Sequence, residues 1–436
     1  MLDVLVIGAG FSGLQAAYSA QQAGLSTAVV EARDRVGGKI WSVPLASGRG
    51  YAELGGAWIN NSLQPRVWKY VERFGLEVVT QRLEGTAVMQ ETQDSRLEFP
   101  FGVSPDVSHN LFPVAPMWMV CPNRSMQWSE AEKNNLAYIR DHIQAESLKP
   151  GLPSAQDDNV SLDQYVRNLG ALPKVANMVN LWARVMHGSI AEGIARLVGA
   201  QNIHLGSPVA SVNEHGSHVS VVTRDGRTFN ARKCILSIPS TMYKELNITP
   251  GLPQPVQEVT DGTVLGDYNK AIVCYDRPWW RSEGFNGYFA SYAGPVILAR
   301  DTSVDERNHF SLTCFVNGQP GRDWSKLCPH ERRAVVIKQI AKIFKADANS
   351  EAFRPIEVFD QVWKHEEFSR GALAPIHALG HLTKYASVYG KPVGNLHFVG
   401  TEYSTEWKGY MEGALCSGER GAREVVEAVK KVPSKL

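Results

Sequence analysis

Residues 3–13, Asp3-Val-Leu-Val-Ile7-Gly8-Ala-Gly10-Phe-Ser-Gly13, carry an apolar strand straight into a glycine-rich turn, and Ser26-Thr-Ala-Val-Val-Glu31 follows one helix later. Strand, GxGxxG turn, helix, second strand and terminal acid, in that order, form a dinucleotide-binding βαβ unit. Gly8 permits the tight turn, Gly10 lets the backbone approach a pyrophosphate, and Gly13 lets the helix predicted over 14–23 pack closely on the sheet. Amides at the helix start, with Phe11 and Ser12, and the helix dipole hold the phosphates. Glu31 and the adjoining Ala32 end the second strand, 18 residues past Gly13. A carboxylate there accepts from both hydroxyls of an adenosine ribose and disfavours a 2′-phosphate.

The 436 residues are 44% hydrophobic and 20% charged, with 45 Lys+Arg against 44 Asp+Glu, a net charge of +1. That length predicts two or three domain-sized units, and the even charge excludes a nucleic-acid footprint. Six cysteines (Cys121, Cys234, Cys274, Cys314, Cys328, Cys416) are scattered without a CxxC, so free thiols in a reducing compartment are expected. The first core strand starts so near Met1 that no secretory or transit leader is expected. The uncharged stretch between Asp106 and Arg124 is broken by Pro113, Pro116 and Pro122, so no transmembrane segment is expected. Ser434-Lys435-Leu436 ends the chain with the tripeptide that peroxisomal import receptors read. Peroxisomal localisation through that receptor is therefore expected, and otherwise a cytoplasmic one.

No repeat or low-complexity tract divides the chain. Helical periodicity marks 129–148 and 161–186, with Leu162, Tyr165, Val166 and Leu169 on one face, and Ile190, Ile194, Leu197 and Val198 mark another helix. Strands are predicted over 202–205, 208–213, 219–224, 233–238, 268–276 and 395–400, with an Asp225-Gly226 turn and helices over 330–345 and 413–431. The expected fold is α/β. A Rossmann-like nucleotide domain is assembled from 1–80, 199–260 and 386–436, and an inserted α+β substrate domain from 81–198 and 261–385.

Two further glycine runs, Ala32-Arg-Asp-Arg-Val-Gly37-Gly38-Lys39-Ile40 and Glu53-Leu-Gly55-Gly56-Ala57-Trp58, widen the surface on which backbone can approach a long ligand, as a flavin dinucleotide needs. Arg33, Arg35 and Lys39 are candidates to meet its phosphates. A pair of ordinary turns is the alternative. The C-terminal stretch bears on the choice: Phe398-Val-Gly400-Thr401-Glu-Tyr403, Trp407-Lys-Gly-Tyr410-Met411-Glu-Gly-Ala414 and Ser417-Gly-Glu-Arg-Gly-Ala422. Together with the two N-terminal motifs, it closely resembles the flavin-containing monoamine oxidase family. The resemblance implies an FAD domain built from three stretches, with Gly400, Thr401, Tyr410 and Met411 near the flavin and Val209, after Pro208, near adenine. No second GxGxxG offers a separate NADPH site.

The family reaction takes hydrogen from the carbon beside an amine nitrogen to flavin N5. The imine then hydrolyses, and dioxygen reoxidises the flavin with release of hydrogen peroxide. An amine, dioxygen and FAD are thus the implied partners, and a homodimer is left open. Lys270 shares a strand face with Ile272 and Cys274, an unusual neighbourhood for an ammonium. A lysine reaching solvent from an edge strand is the ordinary alternative. The segment Asn269 to Trp280 resembles the one whose lysine holds a water at flavin N5. Tyr410 resembles one wall of the aromatic cage that flanks the amine. The opposite position aligns with Leu373, and Ala372 stands where mammalian-type members carry the cysteine that bonds FAD. Noncovalent FAD of the fungal type is expected, with a more aliphatic cage suited to a bulky or long-chain aliphatic primary amine. Trp363 resembles a residue packed beside the flavin, with a plain core tryptophan as the alternative.

His377 and His381 stand four apart but lack a third ligand, so no metal is expected. Two departures from the family put pocket completeness in doubt: the short junction Met186-His-Gly-Ser-Ile190 and the apolar segment 107–126. The rival readings are an amino-acid or polyamine oxidase on the same fold, for which Arg184 and Arg300 are candidate carboxylate binders, and a flavin-binding protein with impaired turnover.

Overall fold

The computed structural model describes residues 1–82, 84–100, 129–147, 149, 154–173, 175 and 190–431. The segment 107–126, Cys121, Arg184, residues 186–189 of the short junction and Ser434-Lys435-Leu436 lie outside the described residues.

Two large sheets organise the chain. In the first, Leu2–Ile7 lies between Thr27–Val30 and Thr228–Leu236, parallel to both. Val4, Leu5 and Val6 are fully buried, because a parallel strand covered on both faces needs the unbroken apolar run that the sequence supplies. Val209–Glu214, Val219–Thr223 and Thr228–Leu236 form an antiparallel meander, and Leu396–Phe398 adds in parallel beside the last of them. This sheet therefore draws on three separated stretches of chain. Helix Phe11–Gln22 covers one face and packs on Met411–Lys430. Its start shows why Gly13 is glycine: a Cβ there would collide with the Gly8 carbonyl and crowd the Ser237 side chain.

The second sheet runs, in spatial order, Glu357–Gln361, Tyr268–Tyr275, Phe310–Asn317, Leu298–Asp301, Phe285–Ser291, Thr86–Gln90 and Arg96–Pro100. One face carries helix Pro329–Ile343 and a core of Trp280, Trp324, Phe289 and Phe344. The other face is covered at one end by the hairpin Ser42–Pro44 and Tyr51–Glu53. At its other end, helices Glu130–Ser147 and Leu162–Asn168 bring in Leu136, Ile139 and Val166. Among the described residues no helix is long and apolar enough to cross a membrane.

Two expectations are altered. Leu162 does not share the buried face: it is the first residue after the Ser161 cap and stays exposed, while Val166 is fully buried with Tyr165 and Leu169 packed alongside. Helix Ala191–Val198, grouped by sequence with the substrate domain, packs through Ala191, Ile194 and Val198 against Leu14, Ala17 and Val67 of the first layer. Its apolar stripe fits either layer, so its pattern alone could not say which.

Candidate active site

One cavity joins the glycine turn to the Lys270 strand. At its first end, Gly8, Gly10, Phe11 and Ser12 form the wall where the helix begins. The helix has Gly10 at its N-cap and no side-chain cap, and a Cβ on Gly10 would meet no atom within 4 Å. Uncapped amides and open backbone therefore face the cavity, as a pyrophosphate requires. Glu31, 4% exposed, stands on the same wall. Its carboxylate accepts from the amides of Ala9 at 2.6 Å and Arg33 at 2.9 Å, which fixes it at the strand end with lone pairs to spare for a ribose.

Ala32, Arg33 and Val209 continue this wall with Ser207, Pro208, Arg224 and Phe368. Arg33 pairs with Glu366 at 3.3 Å and lies 5.8 Å from the Phe368 ring centre, while Arg224 approaches that ring at 5.5 Å. Gly13 and Ala57 do not reach the wall; Gly13 acts through packing. Arg35, expected at phosphate, instead donates to the carbonyls of Val36, Gly38 and Ile40 and stacks 4.5 Å from Trp41. It braces the loop because three carbonyls converge where its fork ends.

Gly37 and Gly38 stand against the glycine turn, the Gly37 amide donating to the Ala9 carbonyl at 2.8 Å, and the cavity is further lined by Lys39, Gly55, Gly56 and Trp58 together with Gly400, Thr401, Tyr410 and Met411. The Lys39 ammonium donates to the Leu373 carbonyl at 3.2 Å; desolvation lowers its pKa to about 8, against the pull of Glu402. Thr401 ties the Tyr410 turn together, its hydroxyl donating to the Tyr410 carbonyl at 2.9 Å and accepting from the Gly409 amide at 2.7 Å. Tyr410 and Leu373 both line the cavity. Trp363 answers to both of its readings, since it lines the cavity yet is 3% exposed and donates to the Leu54 carbonyl at 3.2 Å.

Lys270 is 3% exposed on an interior strand, flanked by Glu357–Gln361 and Phe310–Asn317, so the edge-strand alternative fails. Its ammonium donates to the Glu53 carbonyl at 2.7 Å and to the Gly55 carbonyl, with the Trp58 and Phe315 rings each 5.6 Å away. Burial lowers its pKa to about 7, only partly opposed by the Glu53 carboxylate, and burial likewise raises the pKa of Glu53. Water exclusion thus outweighs the attraction between them.

Several wall residues escaped the sequence reading. Tyr268 and Phe315 pack edge to face at 5.8 Å, and Trp58 lies 5.5 Å from Phe315, so the sheet supplies an aromatic wall that the Leu373 position lacks. Strand alternation put Tyr268 on the Lys270 face and was the one available signal. Buried Glu402 accepts from the Ser240 amide at 3.1 Å and also faces the cavity. Arg300 is not on the cavity wall, and Arg184 lies outside the described residues. His377 has both ring nitrogens engaged, by Thr263 and by Tyr389, each at 2.8 Å, leaving no free lone pair for a metal.

An uncapped helix start, a fixed ribose acid and a long glycine-lined channel ending at a desolvated lysine define an oxidoreductase of the dinucleotide-binding flavoprotein class. The profile of flavin-containing amine oxidoreductases matches residues 11–426, and the chain belongs to that family. It is 26% identical over 463 residues to the probable flavin-containing monoamine oxidase A of Dictyostelium discoideum, covering 100% of this chain and 99% of that one. With the human flavin-containing amine oxidase B it shares 28% over 474 residues, covering 99% and 87%. Among solved structures it shares its fold with putrescine oxidase bound to putrescine, at TM-score 0.81 and 24% identity over 98% and 99% of the chains. Cyclohexylamine oxidase of Brevibacterium oxydans gives 0.83 and 21% over the same shares. The protein is thus a flavin amine oxidoreductase.

Proposed function

We propose that the protein binds FAD without a covalent link and oxidises a primary amine on a bulky or long aliphatic chain, with dioxygen as the electron acceptor. The observation that carries this reading is the buried Lys270 ammonium in the cavity that Tyr410 and Leu373 also line. For noncovalent FAD the support is Ala372 on the wall and the lack of cysteine or histidine among the described lining residues.

Glu31 would take the ribose, the helix start at Phe11 the pyrophosphate, and Gly400 to Met411 the flavin end. When bound, the flavin accepts the hydrogen and electron pair from the carbon beside the nitrogen and passes two electrons to dioxygen. Amine, dioxygen and water become carbonyl compound, ammonia and hydrogen peroxide, which balances. An alkylamine is almost wholly ammonium at neutral pH, and only its lone pair supports oxidation; the rings of Tyr268, Phe315 and Tyr410 favour the neutral form. Lys270 holds a water and sets positive charge where dioxygen gains electrons.

Anaerobic mixing of holoenzyme with a panel of alkylamines tests this. Bleaching of the flavin and return of colour with peroxide in air is expected; a flavin that stays yellow with every amine points instead to a binder without turnover. Acid precipitation is expected to leave the chromophore in solution, and yellow in the pellet overturns the noncovalent link. Peroxisomal localisation is part of the same proposal, resting on Ser434-Lys435-Leu436. Deleting those residues is expected to leave the protein in the cytosol, and undiminished import overturns that signal.

A further inference from the structure

The sequence marks out Ser417-Gly-Glu-Arg-Gly-Ala422, yet none of these residues lines the cavity. They form the middle of helix Met411–Lys430 and touch two separate parts of the cavity wall from behind. Gly418 packs on the start of helix Phe11–Gln22, where a Cβ would stand 2.5 Å from the carbonyl oxygen of Ser12, a wall residue. Gly421 meets Val399, whose side chain takes the place a Cβ would need. The two glycines let one helix lie directly against the glycine turn and against the chain that leads to Gly400.

Strand Leu396–Phe398 is paired along its length, and the Val399 amide still reaches the Leu236 carbonyl at 3.0 Å. Gly400 comes next and is the first of this run to line the cavity. Its amide has left the ladder and donates instead to the hydroxyl of Ser417, a buried residue, at 3.1 Å. The Ser417 oxygen also accepts from the Arg420 guanidinium at 3.3 Å, so both of its lone pairs are used. Arg420 donates further to the Phe398 carbonyl at 2.7 Å and to the Glu424 carboxylate at 2.6 Å. One planar fork therefore holds the residue two before Gly400 and the hydroxyl that holds Gly400 itself. Beyond Gly400, Thr401 ties down the turn that carries Tyr410. A buried amide keeps its place while its partner does, because leaving it unpaired is costly.

We infer that Ser417 and Arg420 are positioning residues for the flavin: they fix the Gly400 peptide in the cavity wall, and through Thr401 the Tyr410 turn, without touching what the cavity holds. The inference rests on the FAD reading above. Ser417 acts on Gly400 directly, and Arg420 acts through Ser417 and Phe398, so the two form one unit.

Ser417→Ala, Arg420→Met, the two combined, and Arg420→Lys are compared with wild type. Titration of apoprotein gives FAD affinity, and the holoprotein gives the flavin absorption band and midpoint potential. Each single variant is expected to bind FAD at least about fivefold more weakly and to shift the band and the potential. A smaller loss, or a band and potential that do not move, overturns the inference. Because both residues act on one peptide, the combined variant is expected to stay within about threefold of the worse single one, and a further loss overturns the shared action. Arg420→Lys is expected to recover part of the loss, since an ammonium still reaches one of the two acceptors. Amide hydrogen exchange over 398–403 reads the same contact without cofactor: Ser417→Ala is expected to speed exchange at Gly400 at least about tenfold, and a smaller change overturns the role of Ser417. If the apoprotein takes up no FAD, the FAD reading fails, and exchange at Gly400 in both single variants still decides whether Ser417 and Arg420 hold the wall. If Arg420→Met yields no folded protein, Arg420→Lys takes its place in every comparison, and a lysine variant identical to wild type overturns the role of Arg420.

Discussion

At the Glu31 end of the cavity, the glycine turn, the helix start and the ribose acid come from one short stretch of chain, and Glu31 is fixed by amides within 22 residues of it. At the Lys270 end, the ammonium is held by carbonyls 215 and 217 residues away, and Lys39 reaches a carbonyl 334 residues away. The first end leaves helix amides and open backbone facing the ligand. The second shuts solvent out and sets a positive charge between two aromatic rings. Binding a dinucleotide needs only local backbone geometry, whereas shifting a lysine pKa needs burial, which distant segments must assemble.

The largest expected effect belongs to the buried end. Lys270→Met keeps the apolar stem and removes the ammonium, so reoxidation of the photoreduced holoenzyme by dioxygen should slow on the order of 10²-fold while FAD stays bound. Stopped-flow recovery of flavin absorbance measures it. Because burial lowers the Lys270 pKa to about 7, the lysine is charged below that pH and neutral above it. Wild-type reoxidation should therefore slow as pH rises through about 7, and the variant should show no such step. Stability runs the other way. The burden of burying an ammonium is borne in full below about pH 7 and relieved as pH climbs towards the ordinary lysine value, so the melting difference between wild type and variant should change across that window. Equal reoxidation rates would leave Lys270 a structural lysine and erase the contrast between the two ends.

Glu31→Ala tests the open end. It removes the ribose acceptor and leaves the Ala9 and Arg33 amides without their partner. A charge-assisted hydrogen bond contributes about 1.5–3 kcal/mol, so FAD affinity should fall roughly 10- to 150-fold. Titration of apoprotein with FAD reads this directly, and an unchanged affinity removes Glu31 from the site. Gly13→Ala follows. The new methyl meets backbone that cannot move aside cheaply, and overpacking of this kind costs about 1–3 kcal/mol. Thermal melting of the holoenzyme checks it; a change within about 0.5 kcal/mol would mean that the helix start shifts freely.

The contrast also explains what could be read in advance. The first strand, its helix and Glu31 were legible because each carries a local pattern: an apolar run, a glycine spacing, an acid at a strand end. Lys270 was legible as an anomaly, a cation on an apolar strand face. Tyr268 and Phe315, on paired strands, and Arg224 with Phe368, 144 residues apart in sequence, meet only after folding; strand alternation set Tyr268 on the Lys270 face, and no local pattern marks the other three. Arg35 misled because a basic residue beside a glycine pair fits a phosphate contact and a loop brace equally well until the carbonyls of Val36, Gly38 and Ile40 are located.

The smallest effect is expected at Arg224, the exposed counterpart of Lys270 at the other end of the same cavity. Its pair with Glu367 is 2.6 Å long, but both side chains remain more than half exposed, where an ion pair contributes about 0–1 kcal/mol. The guanidinium also lies 5.5 Å from the Phe368 ring centre, which at an exposed site adds about 0.5–1 kcal/mol. Both are contacts within the protein, so only part of their sum bears on the dinucleotide: Arg224→Ala should weaken FAD binding by no more than about fivefold, and the difference should shrink as salt rises, because exposed charges are screened within about 8 Å at physiological ionic strength. FAD titration of apoprotein at low and high salt measures both quantities. A loss above tenfold that salt does not reduce would mean that Arg224 contacts the dinucleotide directly, and the Glu31 end would then depend on a distant charge much as the Lys270 end does.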